Sequence, residues 1–200
     1  MSLESLLTLL IVTGLLLGSP GPVPIALAAT GATYGLKQGL PFLLGILVGL
    51  TFAITGSILG LSVLLIHYPT IGIVCQIIAA GYMCYIAFKI ATAPIQSDDT
   101  LQKAPNFRDG FVLNLLNPKA YAAFLAIFSQ FLLPHSFIEL SYLITGIVCL
   151  VVAIVVDSLW LMCGSLLKPV FTHPKHARII RVLFGSLLVV TVIASLSMST

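Results

Sequence analysis

Apolar residues in this chain come in blocks of about twenty, separated by short polar or charged connections, and not in the alternating ten-residue segments of a membrane β-barrel. Six blocks can be drawn, over residues 5–33, 40–66, 70–92, 107–133, 138–166 and 178–198. Each is long enough to cross a bilayer as an α-helix. The expected fold is an all-α polytopic membrane protein with six transmembrane helices. One extended polar stretch, Ala93 to Asn106, divides it into a first three-helix unit over 1–92, a linker over 93–106 and a second unit over 107–200. In the second block Gly45, Gly49, Gly56 and Gly60 recur at helical spacing, a small-residue stripe that lets a neighbouring helix approach closely.

Two blocks are interrupted from within. The first contains Gly18-Ser-Pro-Gly-Pro-Val-Pro24 and the fourth Leu115-Leu-Asn-Pro-Lys-Ala120. Proline lacks an N–H and clashes with the carbonyl four residues back, so Pro20, Pro22 and Pro24 with Gly21 between them cannot be continuous helix. In hydrocarbon, broken backbone is tolerated only inside protein or beside a water-filled cavity. The helix resuming after Pro24 would present its positive dipole end and free N–H groups, a receptor for a carboxylate. Asn117 reads as the cap of a helix resuming at Pro118. Pro20 and Pro118 fall at the same place in the two halves, and three spans per half place the second half upside down. Two inverted three-helix repeats with broken first and fourth helices are expected, a pattern that points to a transporter site between the breaks.

Orientation follows from the cations. Eight of nine Lys and Arg flank three connections, those after blocks one, three and five. The positive-inside rule makes that side cytoplasmic and puts both termini outside. Glu4 with no nearby cation, and an apolar run that continues past Leu17, make the first block a span and not a secretory signal. Composition agrees with a membrane protein: 59% apolar and 8% charged, with mean hydropathy +1.15, against roughly 25% charged in soluble domains. The scattered cations form no basic face for nucleic acid. Cys75, Cys84, Cys149 and Cys163 lie in apolar blocks without a C-x-x-C, as packing residues do. His67, His135, His173 and His176 lie in connections, so no set of metal ligands shares one depth.

Only Lys119 and Asp157 carry charge deep within blocks. A charge at the centre of a membrane helix costs at least ~2.5–3.5 kcal/mol, so each needs a partner or a task. Lys119 lies ~15–18 Å along its span at 1.5 Å per residue, and tilt brings Asp157 to within a lysine's reach of that depth. The two are a structural ion pair, or Asp157 alternates between a substrate ammonium, a proton and Lys119. One acid, one base and a helix amino end suit a zwitterion with one carboxylate and one ammonium. Asn114, a turn before Pro118, either satisfies carbonyls at the break or lines the site, and Gln130 is a further polar residue of that span. Trp160 reads as interfacial packing. No phosphate loop, H-E-x-x-H, nucleophile triad or cofactor motif is present, so neither an enzyme nor an ATP-driven pump is expected. The alternatives are a metal or small-ion exporter, a membrane thiol carrier passing electrons, and a non-transporting assembly subunit.

Ser19-Pro-Gly-Pro22, the glycine-rich second span, and Phe111-Val-Leu-Asn-Leu-Leu-Asn-Pro-Lys-Ala120 followed by Phe128-Ser-Gln-Phe131 resemble the lysine exporter / homoserine–threonine exporter (LysE/RhtB) family. The resemblance covers nearly the whole chain. It implies a bacterial inner-membrane exporter of amino acids or close derivatives, with six helices and proton coupling. Some relatives that export cationic amino acids carry an acid in the second span, where this chain reads Leu47-Val-Gly-Leu50. That departure implies a neutral substrate. The expected substrate-binding residues are Pro20, Gly21, Pro22, Pro24, Asn114, Asn117, Pro118, Lys119 and Asp157, with Asp157 also carrying the proton. The expected partners are an amino acid, a proton and the lipid bilayer, with room for a homo-oligomer.

Overall fold

Caps and prolines set the helix ends. In the computed structural model, which describes residues 2–60 and 104–166 and isolated helical positions within 74–88 and 179–190, α1 (Leu3–Gly18) begins at Ser2, whose hydroxyl accepts from the Ser5 N–H at 3.1 Å. The chain turns through Ser19–Gly21 and restarts as α2 (Pro22–Tyr34), bent 65° from α1. The restart is earlier than the proline count suggests. Pro22 and Pro24 do not belong to the break; they occupy the first turn of α2, where no carbonyl waits four residues back for their missing N–H groups.

A single residue, Gly35, with φ 86°, joins α2 to α3 (Leu36–Ile58). The second expected span therefore starts four residues before residue 40, and Lys37 sits exposed in its first turn. Helix α3 ends at Ile58, and Gly60, with φ 88°, lies beyond it and leaves the glycine stripe. Past the linker, Asn106 accepts from the Arg108 and Asp109 amides while the Asp109 carboxylate accepts from the Asn106 amide, a reciprocal box that starts α4 (Phe107–Leu115). Helix α5 (Pro118–Gln130) resumes after Leu116 and Asn117 at 55° to α4, and α6 (Ile138–Leu166) follows. Helices α3 and α6 are each long and apolar enough to cross a membrane, and so is each bent pair taken together, giving up to four spans among the described residues. Apart from those isolated helical positions, the third and sixth expected spans lie outside the described residues, as do most of the 93–106 linker and the His173/His176 pair.

Glycine lets backbone meet backbone at two helix pairs. A Cβ on Gly45 or Gly110 would collide with the carbonyl of Phe107 on α4 or of Phe42 on α3. On the other pair, Gly31 of α2 faces the Leu161 carbonyl and Gly164 of α6 faces the Ala28 carbonyl. These contacts lie at the end of the bundle where α2 stops and α3 and α4 begin. They are joined by an apolar cluster that includes Ile25, Leu27, Phe42, Ile46, Leu113 and Leu161. A second cluster, with Leu9, Leu50, Phe124, Ile127, Cys149 and Ala153, fills the other end. The boundary between the two crosses α3 between Ile46 and Leu50, near its midpoint, and α6 between Ala153 and Leu161.

Gly110→Ala should lower the thermal unfolding midpoint in detergent, by the ~1–3 kcal/mol typical of overpacking. Gly14→Ala is its control: no described atom lies within 4 Å of that Cβ position. It should be neutral or stabilising, since Ala is favoured over Gly in a helix by roughly 0.5–1 kcal/mol. The reverse ranking would contradict the α3–α4 contact.

Candidate functional site

Between the two apolar clusters lies a cavity of about 30 Å³ lined by Leu17, Val23, Pro24, Leu50, Asn114, Asn117, Lys119, Ala120, Ala153 and Asp157. A water takes ~30 Å³ in the liquid, so this space holds one or two waters and not an amino acid. Both helix breaks open onto it, with Leu17, Val23 and Pro24 from the first and Asn114, Asn117, Lys119 and Ala120 from the second. Helix α6 supplies the far wall with Ala153 and Asp157, one turn apart on the same face.

Each break exposes backbone groups that helix would have paired, and side chains take them up. At the end of α1 the Ser19 amide bonds back to the Leu15 carbonyl at 3.0 Å, and the Ser19 hydroxyl donates to the Leu16 carbonyl at 3.0 Å. The next partners come from the second half of the chain. Trp160 Nε1 donates to the Gly18 carbonyl at 3.3 Å, and Lys119 Nζ donates to the Ser19 carbonyl at 2.6 Å. The second break is served locally: Asn117 Oδ1 accepts from the Lys119 amide at 3.2 Å, and the Tyr121 hydroxyl donates to the Leu115 carbonyl at 2.9 Å. Trp160 is thus not merely interfacial packing. Its indole is part of the join between the halves.

The helix amino ends are poorer in donors than the sequence suggested. Two of the first three residues of α2 are proline, which leaves the Val23 N–H alone among them. At α5 the Lys119 and Ala120 amides are both taken by Asn117. What remains for an anion at α2 is the dipole, one amide and any cation nearby. Lys119 is that cation.

Asp157 is 6% exposed and Asn114 1%. Asn114 Nδ2 donates to the Ile46 carbonyl of α3 at 2.9 Å, so the residue lines the cavity and also ties α4 to α3. Lys119 and Asp157, one basic and one acidic side chain, both line the cavity. Among the described residues they form no contact ion pair, because the lysine reaches the Ser19 carbonyl instead.

Of the residues singled out from sequence, Pro24, Asn114, Asn117, Lys119 and Asp157 meet at this cavity. Gly21 abuts the lysine, with its Cβ position 3.0 Å from Lys119 Nζ. Pro22 is buried at the start of α2, Pro118 opens α5, and Pro20 and Gln130 are exposed away from the cavity. Sequence reasoning missed the apolar lining of Leu17, Val23, Leu50, Ala120 and Ala153, and it missed the role of Trp160. Helical spacing carried a signal for two of these: Ala153 lies four residues before Asp157 and Trp160 three after it.

No solved structure gives a significant match. A cysteine/O-acetylserine efflux protein of Salmonella typhimurium is 26% identical over 191 residues, 94% of each chain. A homoserine/homoserine lactone efflux protein of the same organism is 26% identical over 192 residues, covering 94% of this chain and 93% of its own. An uncharacterized membrane protein of Bacillus subtilis is 27% identical over 144 residues, 65% of this chain and 69% of that one. The family model for the LysE type translocator matches residues 7–197. With two broken helices closing on one polar cavity in a bundle of apolar helices, the chain belongs to the LysE type translocator family.

Proposed function

We propose that this translocator exports small, neutral amino acids or close derivatives from the cytoplasm, by alternating access and in exchange for protons. The observation that carries this reading is the cavity where both breaks meet around one carboxylate and one ammonium. An amino acid's ammonium would face Asp157 and its carboxylate would face Lys119, with the dipole of α2 behind it. Asn114 and Asn117 offer amide contacts to both groups. The apolar remainder, Leu17, Leu50, Ala120 and Ala153, suits a short side chain without charge. Compounds of that kind are named in the efflux proteins of Salmonella typhimurium that this chain is similar to.

The cavity is smaller than the proposed cargo, so the site must widen to take it. Export then requires the two units, 1–92 and 107–200, to part first on one side and then on the other, as inverted three-helix repeats linked by residues 93–106. Both termini would face outward, with the backbone-tight α2–α6 and α3–α4 contacts at the cytoplasmic end. Asp157 is the proton carrier in this scheme. It holds the substrate ammonium when charged, and a proton taken from outside releases it for the return.

Cells preloaded with dipeptides and expressing the protein should release neutral products such as homoserine or threonine faster than controls, scored by amino-acid analysis of the medium. Faster release of arginine or lysine than of either would reverse the assignment. For the coupling, Asp157→Asn keeps the side-chain volume and removes the titrating group. Export should fall tenfold or more, each factor of ten being about 1.4 kcal/mol, and acidifying the medium should no longer accelerate it. Full acid-driven export by the variant would remove Asp157 from the mechanism.

A further inference from the structure

We propose that the Ser19 carbonyl, at the C-terminal end of α1, is the seat of the substrate's ammonium, and that Lys119 occupies this seat in the empty carrier. The proposal rests on the export reading above and refines its ammonium subsite, adding a backbone acceptor to the attraction of Asp157. A helix C-terminus carries partial negative charge on carbonyls that have no amide to pair with. Here a primary ammonium is already in place. Lys119 Nζ donates to the Ser19 carbonyl at 2.6 Å, at the short limit for a charge-assisted bond. Asp157, on the same cavity, is left without a contact ion pair among the described residues.

The bend is shaped for this side chain. A Cβ on Gly21 would lie 3.0 Å from Lys119 Nζ and 3.1 Å from its Cδ, so the lysine stem runs across the bare face of that glycine. Gly21 has an extended φ of −173°, which any residue can adopt. Space for the lysine, and not backbone conformation, is therefore what the missing side chain provides.

The lysine ammonium and an α-ammonium are the same chemical group: one positive charge and three N–H donors. Two such cations on one carbonyl would repel each other at close range. When an amino acid enters, its ammonium takes the Ser19 carbonyl, drawn by the charge of Asp157 across the cavity, and Lys119 moves to the incoming carboxylate. When the amino acid leaves, Lys119 returns. The empty carrier then keeps the Ser19 carbonyl paired at a break in an apolar span, where an unpaired backbone group is costly. Loss of Lys119 must accordingly harm the empty return step more than the loaded crossing.

The test compares net efflux with exchange in proteoliposomes of the purified full chain. The probe is radiolabelled homoserine, threonine or O-acetylserine, whichever the wild type moves fastest. Lys119→Ala should weaken exchange, and should lose about tenfold more of net efflux, the scale of one hydrogen bond to a charged group. Ethylammonium should restore net efflux in this variant, while tetramethylammonium, which has no N–H, should not. Gly21→Ala keeps the lysine but crowds it, and should shift the ratio of efflux to exchange in the same direction. It also decides the matter if Lys119→Ala does not fold. Equal losses of efflux and exchange in the variants, or rescue by both ammonium ions alike, would overturn the seat while leaving the export function standing. A wild type that moves none of the three amino acids overturns the export reading and the seat with it.

Discussion

Broken backbone within an apolar bundle must find its hydrogen-bond partners in the protein, and this requirement organises the molecule. The break between α1 and α2 removes the helical partners of the Gly18 and Ser19 carbonyls. The replacements come from Trp160 and Lys119, 142 and 100 residues away in the chain. The break between α4 and α5 is satisfied by its own neighbours, Asn117 and Tyr121. One interruption is therefore self-contained, and the other holds only while the two halves of the chain stay together. Related sequence breaks have been closed by different means.

The same requirement places the polar layer. Asn114, Asn117, Lys119 and Asp157 sit between two apolar clusters, near the midpoint of α3, with Asn114, Asn117 and Asp157 buried and Lys119 half-buried. Asn114 and Lys119 donate to carbonyls of the α3 backbone and of the first break, and Asn117 accepts from the Lys119 amide. Tight contacts through Gly31, Gly45, Gly110 and Gly164 close one end of this layer with backbone against backbone. Those contacts have little room to deform without coming apart, which favours discrete states over gradual widening.

The membrane class, the helical spans within the described residues and the position of both interruptions were legible in the sequence, because length of apolar run and proline chemistry are local properties. The restart of α2 at Pro22 was misjudged for a local reason too. Prolines were counted as breakers where the first helical turn accepts them. The site was only half legible. Lys119 and Asp157 stood out because intramembrane charge is expensive, and Asn117 because it precedes a proline. Nothing in the residue order says that the lysine would choose a backbone carbonyl over the carboxylate. The small residues Ala120 and Ala153 carry no signal until their neighbours are known, and Trp160 resembled an interface residue until the Gly18 carbonyl lay before it.

Gly35 has a mechanical implication. With one residue between α2 and α3, the two helices share a joint without slack, and only that residue's two dihedrals can absorb a change in their angle. Tilting the half-helix that starts at Pro22 therefore levers the whole of α3 with it. Through Gly45, α3 is geared to α4, so a push delivered at the first broken helix arrives at the second.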